Sequence, residues 1–175
     1  MISIEKFNRG KNKEIRKYYI AYGSNMDLNQ MSYRCPDSKY IGVGYIEGYR
    51  LEFRERYATT EPEEGSRVPV VIFGITEEDE ERLDRYEGYP ELYYKEKIRV
   101  RLRETFTELE GMVYIMERGY RYRLPEVSYY ENMEYSYKNF GFEIEILERG
   151  LIDSYKKVER EKYILIQNDF LEELI

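Results

Sequence analysis

Apolar and polar positions alternate along this chain in a few clear blocks, and the blocks predict an α+β order. Tyr18–Tyr22 is a short aromatic and β-branched run, which reads as a buried strand. Asp27–Arg34 has helical character and is closed by Cys35-Pro36. Ile41–Ile46 and Tyr49–Arg56 read as two strands around a turn at Glu47-Gly48. Thr60–Arg67 reads as a charged loop, and Val68–Ile75 as a buried strand with Pro69 tolerated near its start. Thr76–Tyr86 is the clearest helix. Thr76 and Asp79 stand at reciprocal capping positions, acidic residues fill the first turn, and Gly88 with Pro90 supplies a stop.

Tyr94–Leu102 alternates as a one-sided strand, with Met112–Met116 as its hairpin partner. Arg118–Ser128 connects it to a helical stretch, Tyr129–Leu147, broken at Gly141. After Gly150 the pattern is that of a polar helix ending in apolar residues. The expected architecture is a small curled mixed β-sheet or barrel with flanking helices. Residues 1–17 form a peripheral N-terminal extension, 18–150 the domain, and 151–175 a helical extension. That extension is expected to strap its own core, with Tyr163, Ile164, Phe170 and Leu171 as the alternative contacts of an oligomer.

Composition narrows the chemistry. A chain of 175 residues can bury a real core in one domain. The net charge of −7 argues against nucleic acid as a partner. No long apolar segment predicts a membrane span, and the N-terminus lacks a signal-peptide pattern, so a cytoplasmic location is expected. The single Cys35 cannot form an internal disulfide. There is no histidine, which excludes Ser-His-Asp and Cys-His nucleophilic machinery and makes a dedicated metal site improbable. No glycine-rich phosphate motif points to a nucleotide cofactor, and none is expected. An acid–base group must then be a carboxylate, Lys or Tyr. Tyrosine is abundant, at 21 residues, and some of these could line a polar pocket.

Two segments stand out. Tyr22-Gly23-Ser24-Asn25-Met26 ends the first strand in small residues at a helix start, where free amides can meet an anion. Glycine at 23 would allow a positive φ or a close approach of the backbone to a ligand. The ordinary reading of such a segment is a tight turn. Leu83-Asp84-Arg85-Tyr86-Glu87-Gly88 puts Glu87 at the C-terminal end of a helix, where negative charge is disfavoured. Partial burial between Tyr86 and Tyr89 would raise its pKa. The ordinary reading of Glu87 is a solvated residue before a cap glycine, and 35 acidic residues make that reading strong.

Taken in order, the Tyr-Gly-Ser-Asn loop and the later Leu-Asp-x-x-Glu-Gly segment resemble the γ-glutamyl cyclotransferase (AIG2-like) family. Pro125, Tyr129 and Gly141 extend the resemblance over residues 18–150. Val70 and Ser136-Tyr137 depart from the family pattern. The resemblance implies a cyclotransferase that releases 5-oxoproline from a small γ-glutamyl amide. It implies Glu87 as general acid and base. It also implies substrate binding by Tyr22, Gly23, Ser24, Asn25, Met26, Tyr93 or Tyr94, and Tyr129. The departures motivate an alternative, a catalytically silent module that binds a γ-glutamyl-type metabolite. A monomer or weak homodimer is expected.

Overall fold

The computed structural model describes residues 2–172, and side chains as far as Leu165. Helix α1 (Ile4–Asn8) precedes strand β1 (Lys17–Ala21), a 3-10 turn (Ser24–Met26) and helix α2 (Leu28–Arg34). A long ribbon follows, β2 (Lys39–Arg54) and β3 (Tyr57–Ile75), then helix α3 (Glu77–Glu87). The hairpin β4 (Tyr93–Leu102) and β5 (Glu108–Met116) leads to α4 (Val127–Phe140) and α5 (Ile144–Glu172). The strands close into a barrel in the order β1-β3-β2-β4-β5. β1 lies parallel to β5 at Tyr19–Met112, and the other strand pairs are antiparallel. This is the α+β architecture expected, with the barrel closed.

The ribbon corrects two expectations. Glu47-Gly48 is not a hairpin turn. It is an irregularity inside β2, where pairing with β3 shifts register between Glu47 and Tyr49 and Gly48 takes φ +76°. The reversal comes later, at Glu55-Arg56, whose φ values of 45° and 73° suit a tight two-residue hairpin. The charged segment Thr60–Arg67 lies within β3, where Thr60–Pro62 and Arg67 pair with β2 and residues 63–66 bulge out between them. Two of its acidic residues meet arginines of the opposite strand, Glu61 with Arg54 at 3.0 Å and Glu63 with Arg50 at 3.2 Å.

The N-terminal end of the chain differs from expectation. The N-terminal segment is part of the core. Phe7 is 2% exposed and its ring meets Phe73 at 5.7 Å. Asn8 bonds both the N–H and the carbonyl of Tyr40, at 2.8 and 3.2 Å, and fixes α1 to β2.

Helix α5 runs through Gly150 without a break. A side chain at that position would meet the Leu51 carbonyl oxygen at 3.0 Å, so glycine lets the helix lie close on β2. Leu147 and Ser154 are buried, and Ser154 Oγ accepts from the Phe53 amide at 2.8 Å. Helix α5 therefore packs on β2 over this early part. Tyr163 and Ile164, at 62% and 47% exposure, are not buried by it. Phe170 and Leu171 lie outside the described side chains.

Removing the Phe7 ring tests whether α1 belongs to the core. Phe7→Ala should lower unfolding free energy in urea by about 3 kcal/mol, in the usual range for a buried aromatic. A loss under about 1 kcal/mol would return α1 to the periphery.

Candidate active site

The site forms where the loop after β1 meets the C-terminal end of α3. Gly23 has φ −106° and ψ −146°, so positive φ is not the reason for glycine. The reason is space: a Cβ would lie 3.0 Å from the Tyr129 hydroxyl. The following 3-10 turn is closed by a bond from the Met26 amide to the Gly23 carbonyl at 3.0 Å. That amide is used within the turn, and the Met26 side chain is fully buried, so Met26 does not face the site. Ser24 and Asn25 open the turn, where amides have no partner inside it. Asp27 caps α2 by accepting from the Asn29 amide at 2.8 Å and takes the Asn132 amide of α4 at 3.0 Å.

Helix α3 is held at both ends. Thr76 and Asp79 form a capping box, and Gly88 closes the helix in the left-handed conformation, φ +66°. Leu83 is fully buried. Asp84 accepts from the Tyr114 hydroxyl at 2.5 Å and pairs with Lys95 at 2.7 Å. The Leu-Asp-x-x-Glu-Gly pattern thus has a mechanical meaning. Leu anchors the helix, Asp ties it to β4 and β5, and glycine ends it just after Glu87.

Glu87 opens onto a cavity of about 170 Å³ lined by Tyr19, Ile20, Tyr22, Gly23, Ser24, Asn25, Tyr57, Ala58, Tyr86, Leu92, Tyr93, Tyr114 and Tyr129. The residue is partly exposed as a whole, but its carboxyl group sits within this tyrosine wall, away from bulk water. Asn25 Nδ2 donates to Glu87 Oε1 at 2.9 Å and to the Tyr19 hydroxyl at 2.8 Å. Asn25 Oδ1 accepts from Arg34 Nη1, which also donates to Ser24 Oγ at 3.2 Å. The Arg34 guanidinium stacks on the Tyr86 ring, 3.7 Å from its centre. Burial raises the Glu87 carboxyl to a pKa of about 7; the Arg34 charge and the Asn25 hydrogen bond oppose that rise without cancelling it. Burial also holds the Tyr19, Tyr22, Tyr93 and Tyr129 phenols above their ordinary value, so these hydroxyls stay neutral.

Most of the expected residues meet here. Tyr22 donates to the Tyr114 carbonyl at 2.5 Å, and Tyr93 donates to the Ala58 carbonyl at 2.9 Å. Their rings line the cavity, while their hydroxyl hydrogens are committed to the backbone. Tyr129 accepts from the Ala58 amide at 3.2 Å. Strand alternation separates the two tyrosine candidates: Tyr93 lines the cavity, and Tyr94 does not.

Sequence reasoning missed Tyr19, Tyr57, Tyr114 and Arg34. The surplus of tyrosine was the available signal for the first three. Arg34 had none beyond its place in the last turn of α2. Among the described residues no group of three or more His, Cys, Asp or Glu is placed to hold a metal ion, and no helix is long and apolar enough to cross a membrane.

The sequence model of the family described as gamma-glutamyl cyclotransferase, AIG2-like, matches residues 19–137. The chain belongs to that family. The match spans the loop, Glu87 and most of α4. A solved gamma-glutamyl cyclotransferase is similar at a TM-score of 0.68 and 22% identity, covering 76% of this chain and 85% of that one. An uncharacterized protein from Homo sapiens is similar at a TM-score of 0.69 and 23% identity, covering 78% and 86%. YkqA from Bacillus subtilis is similar at a TM-score of 0.58 and 19% identity, covering 76% of this chain and 52% of its own. No curated protein sequence matches. At these identities the structural likeness establishes the fold, and the family establishes a cyclotransferase-type enzyme in outline.

The raised pKa of Glu87 has a sign that stability measurements can read. Between the ordinary value of 4.5 and about 7, the folded state keeps a proton that the unfolded state has lost. Stability therefore falls as pH rises through that window, by up to about 3 kcal/mol. Glu87→Gln lacks the penalty. Its Tm should match the parent near pH 4 and exceed it at pH 8. An equal difference at both pH values would place the Glu87 pKa near its ordinary value.

Proposed function

We propose that this protein is a γ-glutamyl cyclotransferase that converts a γ-glutamyl amide into 5-oxoproline and a free amine. The observation that carries this reading is the Glu87 carboxyl group. It is enclosed by tyrosines, poised near neutral pH, and bonded through Oε1 to Asn25, with no bond from the described residues to Oε2. A group that must take a proton and return it works best with a pKa near the working pH.

The substrate supplies the nucleophile. Glu87, ionised, removes a proton from the α-ammonium through Oε2. The freed amine attacks the γ-carbonyl carbon, forming the ring C–N bond and a tetrahedral oxyanion. Collapse breaks the original amide C–N bond, and Glu87 delivers its proton to the departing nitrogen. The second proton of the ring nitrogen ends on the released amine, which leaves as ammonium. No water is consumed and no enzyme nucleophile is required, which suits a chain without histidine. The chief task is holding amine and carbonyl in register, and positioning of this kind is worth roughly 10⁵–10⁸ M in effective concentration. The loop of Gly23, Ser24 and Asn25 turns its amides toward the substrate's anionic groups, with the Ser24 amide shared with the Tyr129 hydroxyl, and the rings of Tyr22, Tyr93 and Tyr129 shape the glutamyl pocket.

Purified protein should release 5-oxoproline from at least one member of a panel of γ-glutamyl amino acids, γ-glutamylamines and glutathione. Glu87→Gln should reduce kcat by about 10²–10⁴-fold with the fold retained. Ligand-induced thermal stabilisation without product across the whole panel would instead mark a binding module. The two carboxyl states also predict a pH profile. Because the ionised form acts first, kcat/KM should rise with pH through a midpoint near 7. A profile flat from pH 5 to 8 would remove Glu87 from the proton transfer.

A further inference from the structure

Asn25 stands at the centre of the site with one acceptor and one donor end, and its orientation decides what both neighbours can do. Nδ2 reaches Glu87 Oε1 at 2.9 Å and the Tyr19 hydroxyl at 2.8 Å, while Oδ1 meets Arg34. An amide can flip. With Oδ1 and Nδ2 exchanged, an oxygen would face the Glu87 carboxylate, and Tyr19 could donate to Asn25 instead of accepting from it. Arg34 forbids the exchange, because a guanidinium carries donors only. It is itself fixed by Ser24 Oγ at 3.2 Å and by the face of Tyr86 at 3.7 Å. Arg34 does not line the cavity, so it reaches the reacting groups only through its neighbours.

A second consequence follows at Tyr19. Its oxygen accepts from Asn25, and no described residue accepts its own hydrogen. The ring lines the cavity, so that hydrogen is available to a ligand. Tyr22 and Tyr93, by contrast, have spent theirs on backbone carbonyls. Tyr19 shares the Asn25 nitrogen with Glu87, which puts its hydroxyl beside the proton-carrying group. Burial keeps the phenol protonated.

We propose that Arg34 is a positioning residue that locks the Asn25 amide, and that the lock makes Tyr19 the hydrogen-bond donor to the substrate's γ-carbonyl oxygen. This deepens the cyclotransferase reading and rests on it for the identity of the substrate. The loop amides are then left for the α-carboxylate, and the developing oxyanion is met by a neutral hydroxyl. A donor aimed at a developing oxyanion is a large catalytic effect.

The test combines a substrate-free readout with a kinetic cycle. In the parent protein the Asn25 side-chain amide should exchange slowly with solvent in NMR. Arg34→Met should speed that exchange by about tenfold or more, and Arg34→Lys, which also carries donors only, should restore most of the protection. Unchanged exchange in Arg34→Met would overturn the lock. At pH 8.5, above the Glu87 midpoint, Arg34→Met should lower kcat by ~10-fold or more with KM little changed. In an Asn25→Ala background the same change should cost less than about twofold, since its route is gone. Full, independent effects in both backgrounds would overturn the route through Asn25. Tyr19→Phe should lower kcat by about 10²-fold with KM little changed. An undiminished kcat would remove Tyr19 as donor. If no γ-glutamyl compound turns over, the reaction assignment falls while the exchange measurement still decides the lock.

Discussion

The structure around the cavity depends on one contact, the hydrogen bond from Asn25 to Glu87. It joins the loop after the first strand to the last residue of α3. Neither segment could fix the Glu87 carboxyl in the cavity alone. The loop has donors but no proton carrier, and the helix end has a carboxylate with no reason to stay in one place. A buried carboxyl group is costly unless something bonds it. Among the described residues a single amide nitrogen does so, and the second oxygen is left open. The result is a group that is held and yet incompletely satisfied, as the proposed proton exchange with a ligand requires.

The barrel exists, in functional terms, to bring these two segments together. Closure of β1 against β5 sets Tyr19 and Tyr114 on the same wall, with their rings 5.9 Å apart. Tyr114 then reaches Asp84 and holds α3 at the height where Glu87 enters the cavity. On the other side, Tyr129 of α4 binds the Ala58 amide of β3 and fills the space that Gly23 leaves empty. Tyrosine suits both duties because it packs with its ring and hydrogen-bonds with its tip. That accounts for the uneven aromatic composition near the site, although most of the chain's tyrosines lie elsewhere.

Much of this was legible in the chain, for identifiable reasons. The α3 boundaries could be read because capping is local: Thr76, Asp79 and Gly88 act within a few residues of one another. The loop and Glu87 could be paired only through the family resemblance that the two segments carry together. The long β2–β3 ribbon was not legible. Its turn-like Gly48 is a strand irregularity, and its acidic run is stabilised by arginines on the opposite strand, information that a local pattern does not hold. Arg34 and Tyr19 were hidden for the same reason. Their importance comes from what they touch, and those contacts depend on how α2 and β1 pack after the chain has folded.

The central claim is that the substrate brings its own nucleophile and that the protein moves only protons. An α-15N-labelled γ-glutamyl amide turned over in 18O-water tests this most directly by mass spectrometry. The account predicts 5-oxoproline that retains the 15N label and carries no 18O. Release of glutamate containing 18O would mean that water attacks the γ-carbonyl, and would contradict it.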